Sequence, residues 1–217
     1  SYVTNLSTKG QSELDINIEI PIAKHDPAQV KGLLAFKDNE VRLPHTNYDF
    51  KNLTGSLAFT ESSISSDQMQ ATLDDHLLEL SVDTVSRKQR KLTQILAKGH
   101  VPVDSMLAPL PVLRKYFSGT TDWNVRVDIP SAKQLAKAVD IYVESELHGV
   151  QSRLPEPLAK STREPMPYQL YLGLRRGDDL LVSSELQGQH SIEASRVDQR
   201  WIVTMDSEPL KGRVIFA

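Results

Sequence analysis

The chain has 217 residues, of which 39% are apolar and 24% are charged, and it contains no cysteine. Its 25 basic and 28 acidic residues give a formal charge of −3, so it lacks the basic excess typical of proteins that bind nucleic-acid phosphates. The composition predicts a folded chain that can bury a core. It excludes disulfides, thiolate metal sites and a cysteine nucleophile.

Apolar and polar residues alternate with a period of two from residue 14 onward. Residues 14–22 place Leu14, Ile16, Ile18 and Ile20 on one side, which is typical of a strand with one dry face and one wet face. Turn-forming residues predict connectors at residues 37–40, 74–75, 176–179 and 187–189. We therefore expect an antiparallel meander of about a dozen strands, each of roughly 6–11 residues.

The same alternation recurs along most of the chain. Further strand-like runs lie at residues 78–82, 123–129, 139–147, 169–174 and 208–216. Because one face of each run is apolar, the sequence predicts a long sheet with a continuous dry face.

One segment departs from this pattern and predicts one short helix around residues 103–118. Its apolar residues recur at helical spacing, with Asp104 as a candidate N-cap and Gly119 after the C-terminus. Pro109 and Pro111 favour either two short turns or a kinked helix.

A proline-rich connector occupies residues 153–167 and is predicted to be a long surface loop, partly extended. Strands of the same character flank it, so we interpret residues 1–217 as a single unit. The chain starts at Ser1 without a methionine and has no run of 18 apolar residues. These features are expected of a fragment whose targeting and anchoring segments lie elsewhere in a longer protein.

The dry face of such a sheet needs a cover, and two arrangements provide one. Two sheets can cover each other in a sandwich, or one sheet can curl into an open trough whose floor is covered by lipid. Periodicity alone favours the sandwich.

Catalytic motifs are missing from the sequence. No two of the six histidines have metal-ligand spacing, and no nucleophile elbow or phosphate-binding glycine loop occurs. We therefore predict no enzyme, no metal site and no cofactor.

Three motifs change the balance between sandwich and trough. The first pairs residues 50–59 with residues 64–74, in the form F-x-N-L-x-G followed by A-x-L-D. The second is S-G-x-x-x-W at residues 118–123, and the third is S-x-L-x-G with L-P-x-P-x-x-K at residues 145–160. Together they resemble the AsmA-like family of bacterial envelope proteins, and the third is similar to the YhdP group, whose relatives include TamB and YdbH.

The resemblance implies a mainly β fold with a long curved antiparallel sheet that forms an open, taco-like groove with an apolar interior. It also implies the periplasmic part of a protein anchored in the inner membrane of a Gram-negative bacterium, with the anchor outside this fragment. The implied function is transfer of phospholipids between inner and outer membrane. The implied partners are phospholipid acyl chains and neighbouring repeats of the parent protein, with no nucleic acid.

Under this hypothesis, the apolar positions of the alternating runs form the lipid-binding groove. They are Ile16, Ile18, Ile20, Leu78, Leu80, Val82, Trp123, Val125, Val127, Ile141 and Val143. Trp123 has two interpretations, as groove lining or as a plug beside the predicted helix, and the plug is favoured because large aromatics mostly pack. The alternative function is a structural or interaction β-sandwich module of an envelope protein.

Overall fold

The computed structural model describes residues 7–21, 28–43, 46–87, 90–131, 139–156, 158–174, 180–186, 190–197, 200–206 and 211–216. The predicted connectors at 176–179 and 187–189 lie outside these residues. The strands are β1 (Ser7–Glu19), β2 (Gln29–Leu43), β3 (Tyr48–Thr60), β4 (Ile64–Leu73), β5 (His76–Arg87), β6 (Arg90–Pro102), β7 (Phe117–Ser118), β8 (Thr120–Pro130), β9 (Val139–Ser145), β10 (Gln151–Ser152), β11 (Tyr168–Leu174), β12 (Leu180–Leu186), β13 (His190–Val197), β14 (Arg200–Asp206) and β15 (Lys211–Phe216).

Thirteen of these strands form one antiparallel sheet in which each strand pairs with its neighbours in the chain. The two-residue strands β7 and β10 pair with each other outside it. Within the described residues β1 and β15 lie at opposite ends of the sheet, so the sheet is open and is not a closed barrel. The predicted meander and open curved groove are confirmed.

The strand register sorts side chains onto two chemically different faces. On one, Leu80, Ala97, Val125, Val143 and Leu170 lie side by side across five strands. We call this the inner face. The row one residue away, on the outer face, is polar: Glu79, Lys98, Asn124, Glu144 and Gln169. The period of two therefore produces the apolar interior directly.

Neighbouring bulges cross the first part of the sheet. Asp38, Asn52 and Gln68 have φ of 53°, 51° and 47°, and the register shifts beside each of them. Each extra residue compensates for the one on the adjacent strand, so Leu53 and Met69 stay on the inner face. Bulges bend a strand and increase its twist, which helps the sheet to curve.

The predicted connector at residues 37–40 is wrong, because those residues form the bulge inside β2 and not a turn between strands. The predicted upper length of the strands is also wrong for part of the sheet. β2 has 15 residues and β3 has 13. A bulge absorbs the turn-forming residues and lets the strand continue beyond them.

The predicted helix is divided into two short pieces. An α-helix, α1, spans Val103–Met106, and a 3₁₀ helix spans Pro111–Tyr116. Proline lacks a backbone donor and disfavours helical geometry before it, so Pro109 and Pro111 prevent one continuous helix. Leu110, between the two pieces, is consequently 52% exposed.

The two edges of the sheet, formed by the strand ends, are not equivalent. α1, the 3₁₀ helix and residues 146–156 and 158–167 lie at the edge where β6 ends and β8 begins. From them, Val103, Leu147, Val150 and Met166 pack in one cluster with Leu78, Trp123 and Val143 of the inner face. We call these segments the cap and this edge the capped edge. The far edge is the opposite one, where β5 joins β6 and where β13 joins β14.

The alternation predicts one continuous strand at residues 139–147, and this prediction is wrong at its end. β9 ends at Ser145, and Leu147 has a φ of 47°. The Leu147 side chain is buried in the packed cluster under the cap.

Within the described residues, no helix is long and apolar enough to cross a membrane.

Candidate functional site

The inner face of the sheet is the candidate functional site, and the register brings the predicted groove residues together on it. The six central pairings are Leu78 with Gly99, Gly99 with Trp123, Val82 with Ile95, Ile95 with Val127, Val127 with Ile141, and Val125 with Val143. On β1, Ile16 and Ile18 pair with Gly32 and Val30 of β2. Ile20 follows the end of β1 and lies just outside the β1–β2 pairing, which ends at Glu19.

Burial divides the predicted residues into three groups. Leu78, Val82, Trp123 and Val143 are buried, with 6%, 8%, 6% and 9% exposure. Four are half-buried: Leu80, Val125, Val127 and Ile141. The three on or after β1 are exposed, at 46% for Ile16, 58% for Ile18 and 76% for Ile20.

The buried group lies mainly under the cap. Trp123 packs in a cluster with Val101, Val103 and Val150, and its Nε1 donates a hydrogen bond to the Val101 carbonyl at 3.0 Å. Val101 and Val150 have 0% exposure. Near the capped edge, protein therefore covers the inner face, and Trp123 occupies the packing position beside the helical segment.

The cap is attached to β3 by a half-buried tyrosine. The Tyr48 hydroxyl donates a hydrogen bond to the Met106 carbonyl at 2.7 Å. Burial raises the pKa of Tyr48 to about 12, with a smaller contribution from Tyr168. Asn47 adds a donor to the Ala108 carbonyl at 3.4 Å. These contacts place α1 over the β3–β9 part of the inner face.

Residues of the third motif hold the rest of the cap in place. Ser145 Oγ accepts a hydrogen bond from the Leu147 amide at 2.9 Å. The Lys160 Nζ donates to the carbonyls of Val150 at 2.6 Å and Ser161 at 3.0 Å. Desolvation lowers the pKa of Lys160, although Glu164 opposes that shift. The motif therefore builds the cap and does not line the open groove.

The first motif is also structural. Asn52 forms a bulge, and Gly55, at φ 116°, lies against the Met69 backbone. Asp74 and Asp75 form the β4–β5 turn, with φ of 46° and 65°.

The open part of the inner face continues beyond the predicted residues. Leu170, Leu172 and Val182 extend the rows of Val143 and Ile141 across β11 and β12, and all three are half-buried. The alternation at residues 169–174 predicts the strand. The same parity argument could have placed these side chains in the groove.

The outer face is joined by a polar network. Asp128, 5% exposed, accepts a hydrogen bond from Gln94 at 2.8 Å and lies 3.4 Å from the Arg126 guanidinium. Arg126 in turn stacks 3.9 Å from the Tyr142 ring centroid. Among the described residues, no group of three or more His, Cys, Asp or Glu side chains could hold a metal ion. The arrangement suits a wet face.

Comparison with known proteins agrees with this geometry. The family model described as "YhdP protein" matches residues 2–214. The chain is 25% identical over 201 residues to the intermembrane phospholipid transporter YhdP of Escherichia coli (strain K12), an alignment that covers 91% of this chain. The chain spans 15% of the length of that relative. No solved structure gives a significant match.

Proposed function

This chain belongs to the YhdP family, and from that premise we propose that it is one segment of a longer protein that transfers phospholipids between two membranes. The supporting observation is the open sheet, whose inner face is apolar and only partly covered by protein. Acyl chains lie on that face, while headgroups remain in water. The family's curated relative carries the name of such a transporter.

The proposed mechanism is passive. Removing apolar surface from water contributes about 25 cal/mol per Å², so acyl chains and the inner face stabilise each other without a specific polar anchor. Because the half-buried residues are aliphatic, a chain can move along them without breaking directional bonds. No catalytic group is needed.

The cap decides which predicted residues contact lipid in this proposal. The half-buried residues Leu80, Val125, Val127 and Ile141 form the open floor of the middle strands, and the exposed Ile16, Ile18 and Ile20 form that of β1. Leu78, Val82, Trp123 and Val143 support the floor from protein-packed positions. We place the segment in the periplasm, with neighbouring repeats and the membrane anchor supplied by the parent protein.

A structural or interaction module is the second candidate, favoured by the cluster that seals the capped edge. In that case the inner face is covered by protein along its whole length in the parent molecule. Lipid occupancy distinguishes the two functions, because only a transfer segment retains phospholipid.

Val127→Asp tests the proposal, because Val127 is half-buried on the open floor of β8. A carboxylate in contact with acyl chains is costly to desolvate, so we expect retained phospholipid to fall by about tenfold or more. Native mass spectrometry of the purified protein after incubation with phospholipid vesicles measures it.

Asn124→Asp is the matched control, since Asn124 is exposed on the outer face of the same strand. It should retain lipid as the parent chain does, and circular dichroism should show both variants folded. Equal lipid retention by the two variants would contradict a lipid-binding inner face.

A further inference from the structure

Two cations lie on the inner face at the far edge. Lys91, near the start of β6, has the same parity as Ile95 and pairs with Ser86 across the strand. Arg196, near the end of β13, lies between Leu180 of β12 and Trp201 of β14. The inner face near the far edge thus carries two cations among apolar side chains.

Neither cation is neutralised within the part of the chain that the structure describes. Lys91 is exposed, and its Nζ lies 3.4 Å from the Ser62 carbonyl. Arg196 is half-buried and forms no ion pair with a described carboxylate. By contrast, Arg87 at the same edge points to the outer face and lies 3.6 Å from Asp128.

The sequence around Lys91 is basic although the chain as a whole is acidic. Four of the five residues 87–91 are Lys or Arg, in a chain of formal charge −3. A local cationic field on a net-negative protein attracts anions to that edge.

Apolar side chains fill the space between the two cations. Val139, Leu174 and Leu180 lie in one row that ends at Arg196. Lys91 and Arg196 are on strands separated by four others, which at ~4.8 Å per strand is roughly 24 Å. One phosphate group can therefore contact only one of the two cations, so Lys91 and Arg196 form two separate phosphate-binding sites.

We propose that the far edge is the headgroup side of the groove, where Lys91 and Arg196 bind the phosphate groups of phospholipids. This inference rests on the proposed function. The acyl chains then extend from the far edge toward the capped edge, where the cluster around Trp123 and Val101 covers the inner face. The ligand class is a phosphate monoester or diester attached to an apolar tail.

The test compares two double charge reversals, Lys91→Glu with Arg196→Glu and Lys98→Glu with Arg200→Glu. Lys98 is exposed on the outer face of β6, and Arg200 begins the strand after β13 with outer-face parity. Both double variants change the net charge equally. Each is incubated with vesicles containing equal amounts of dioleoylphosphatidylglycerol and dioleoylglycerol, and retained lipid is counted by native mass spectrometry.

We expect the parent chain and the outer-face variant to retain phosphatidylglycerol in preference to diacylglycerol. The inner-face variant should lose that preference by about tenfold while still retaining diacylglycerol, because glutamate at these positions repels an anionic headgroup that the cations attract. Raising the salt from about 0.05 M to about 0.5 M should weaken the preference in the parent chain.

An unchanged preference in the inner-face variant, or an equal loss in both variants, would overturn the inference and leave the proposed function standing. Retention of neither lipid by the parent chain would overturn both. A ³¹P NMR titration with inorganic phosphate alone tests whether the two cations bind free phosphate and not a lipid headgroup. Saturable binding that the inner-face variant loses would assign the cations to free phosphate and overturn the lipid assignment.

Discussion

Lys160 shows how a single charge can be placed without a carboxylate partner. Its ammonium caps two carbonyls of the cap at 2.6 and 3.0 Å, and desolvation lowers its pKa. The folded chain therefore favours the neutral amine of Lys160 more than the unfolded chain does. Between the lowered pKa and the ordinary value of 10.5, the unfolded chain binds more protons, so the free energy of unfolding rises with pH in that window.

Lys160→Met should remove this rise and cost about 1–3 kcal/mol at neutral pH, because the buried Val150 carbonyl and the part-buried Ser161 carbonyl lose their donor. Urea unfolding of both proteins at several pH values up to 10.5 measures the difference. Parallel pH profiles for the two proteins would show that the ammonium is not desolvated in the folded state.

Tyr48 has the opposite dependence. Its pKa is raised from 10.0 to about 12, so the folded chain keeps the phenol proton over a range where the unfolded chain has lost it. Stability should be fully present below pH 10 and should fall as the pH rises toward 12. Tyr48→Phe should be about 1 kcal/mol less stable at neutral pH, because it lacks the hydrogen bond to Met106. Its free energy of unfolding should fall less than that of the parent chain at alkaline pH.

Absorbance titration of tyrosinate, paired with urea unfolding, checks this prediction. One late-titrating tyrosine should disappear in Tyr48→Phe, while Tyr168, whose pKa burial also raises, remains late. If the tyrosine lost in the variant is one that titrates near the ordinary pKa of 10.0, the protected hydrogen bond of Tyr48 is contradicted.

The connection between the cap and the sheet depends on two glycines in close contact. Gly119 has φ 111° and Gly149 has φ 86°. A Cβ on Gly119 would collide with the carbonyl oxygen of Gly149. A side chain here is therefore excluded by both backbone conformation and space.

Gly119→Ala should destabilise the protein by about 2–4 kcal/mol, through backbone strain and loss of cap packing. Gly212→Ala is the matched control, since a Cβ there meets nothing within 4 Å. It should change stability by less than about 0.5 kcal/mol. Chemical denaturation followed by tryptophan fluorescence compares them, and similar midpoints would show that the glycine contact is not needed.

Strand elements were largely predictable from sequence, and their interruptions were not. Alternation around Val125 and Val143 predicts both the strands and the shared face, because the pleat fixes parity. Asp38 and Asn39 carry the same signals in a bulge as in a turn, and only the pairing of the adjacent strands distinguishes the two. The cap was missed because Leu147 is buried among residues that are distant in the chain, such as Leu73 and Val101.

At the scale of the whole molecule, local stability should decrease from the central strands of the sheet to its first strand, β1. The central strands β5, β6 and β8 carry Leu78, Val101 and Trp123, all buried under the cap. β1 carries Leu14 and Ile18, each 58% exposed. Opening free energies follow buried apolar contact, so core strands open least.

Hydrogen–deuterium exchange should therefore show the slowest amides in β6 and β8 and fast exchange in β1, by about two orders of magnitude or more. Peptides from the two regions are compared by mass spectrometry in the same sample. Equal protection of β1 and β8 would indicate that the sheet opens only as a single cooperative unit.

The choice between sandwich and trough could not be made from alternation, because both place one apolar residue in two on the inner side. Ile18 and Val127 satisfy either arrangement. The motifs at residues 50–74 and 145–160 favoured the trough through resemblance, and the open thirteen-stranded sheet confirms it. Which rows remain accessible depends on the cap, and therefore on packing between elements.

Every strand of the main sheet pairs with those just before and after it, passing over only β7 and β10. A newly synthesised chain can therefore add one hairpin at a time to structure that already exists, without waiting for a distant segment to emerge. The exception is the contact of Ser118 with Gln151, which closes only after β8 and β9 are in place. Growth of the sheet is thus directional, from β1 toward β15, with the contact between β7 and β10 closing behind β9.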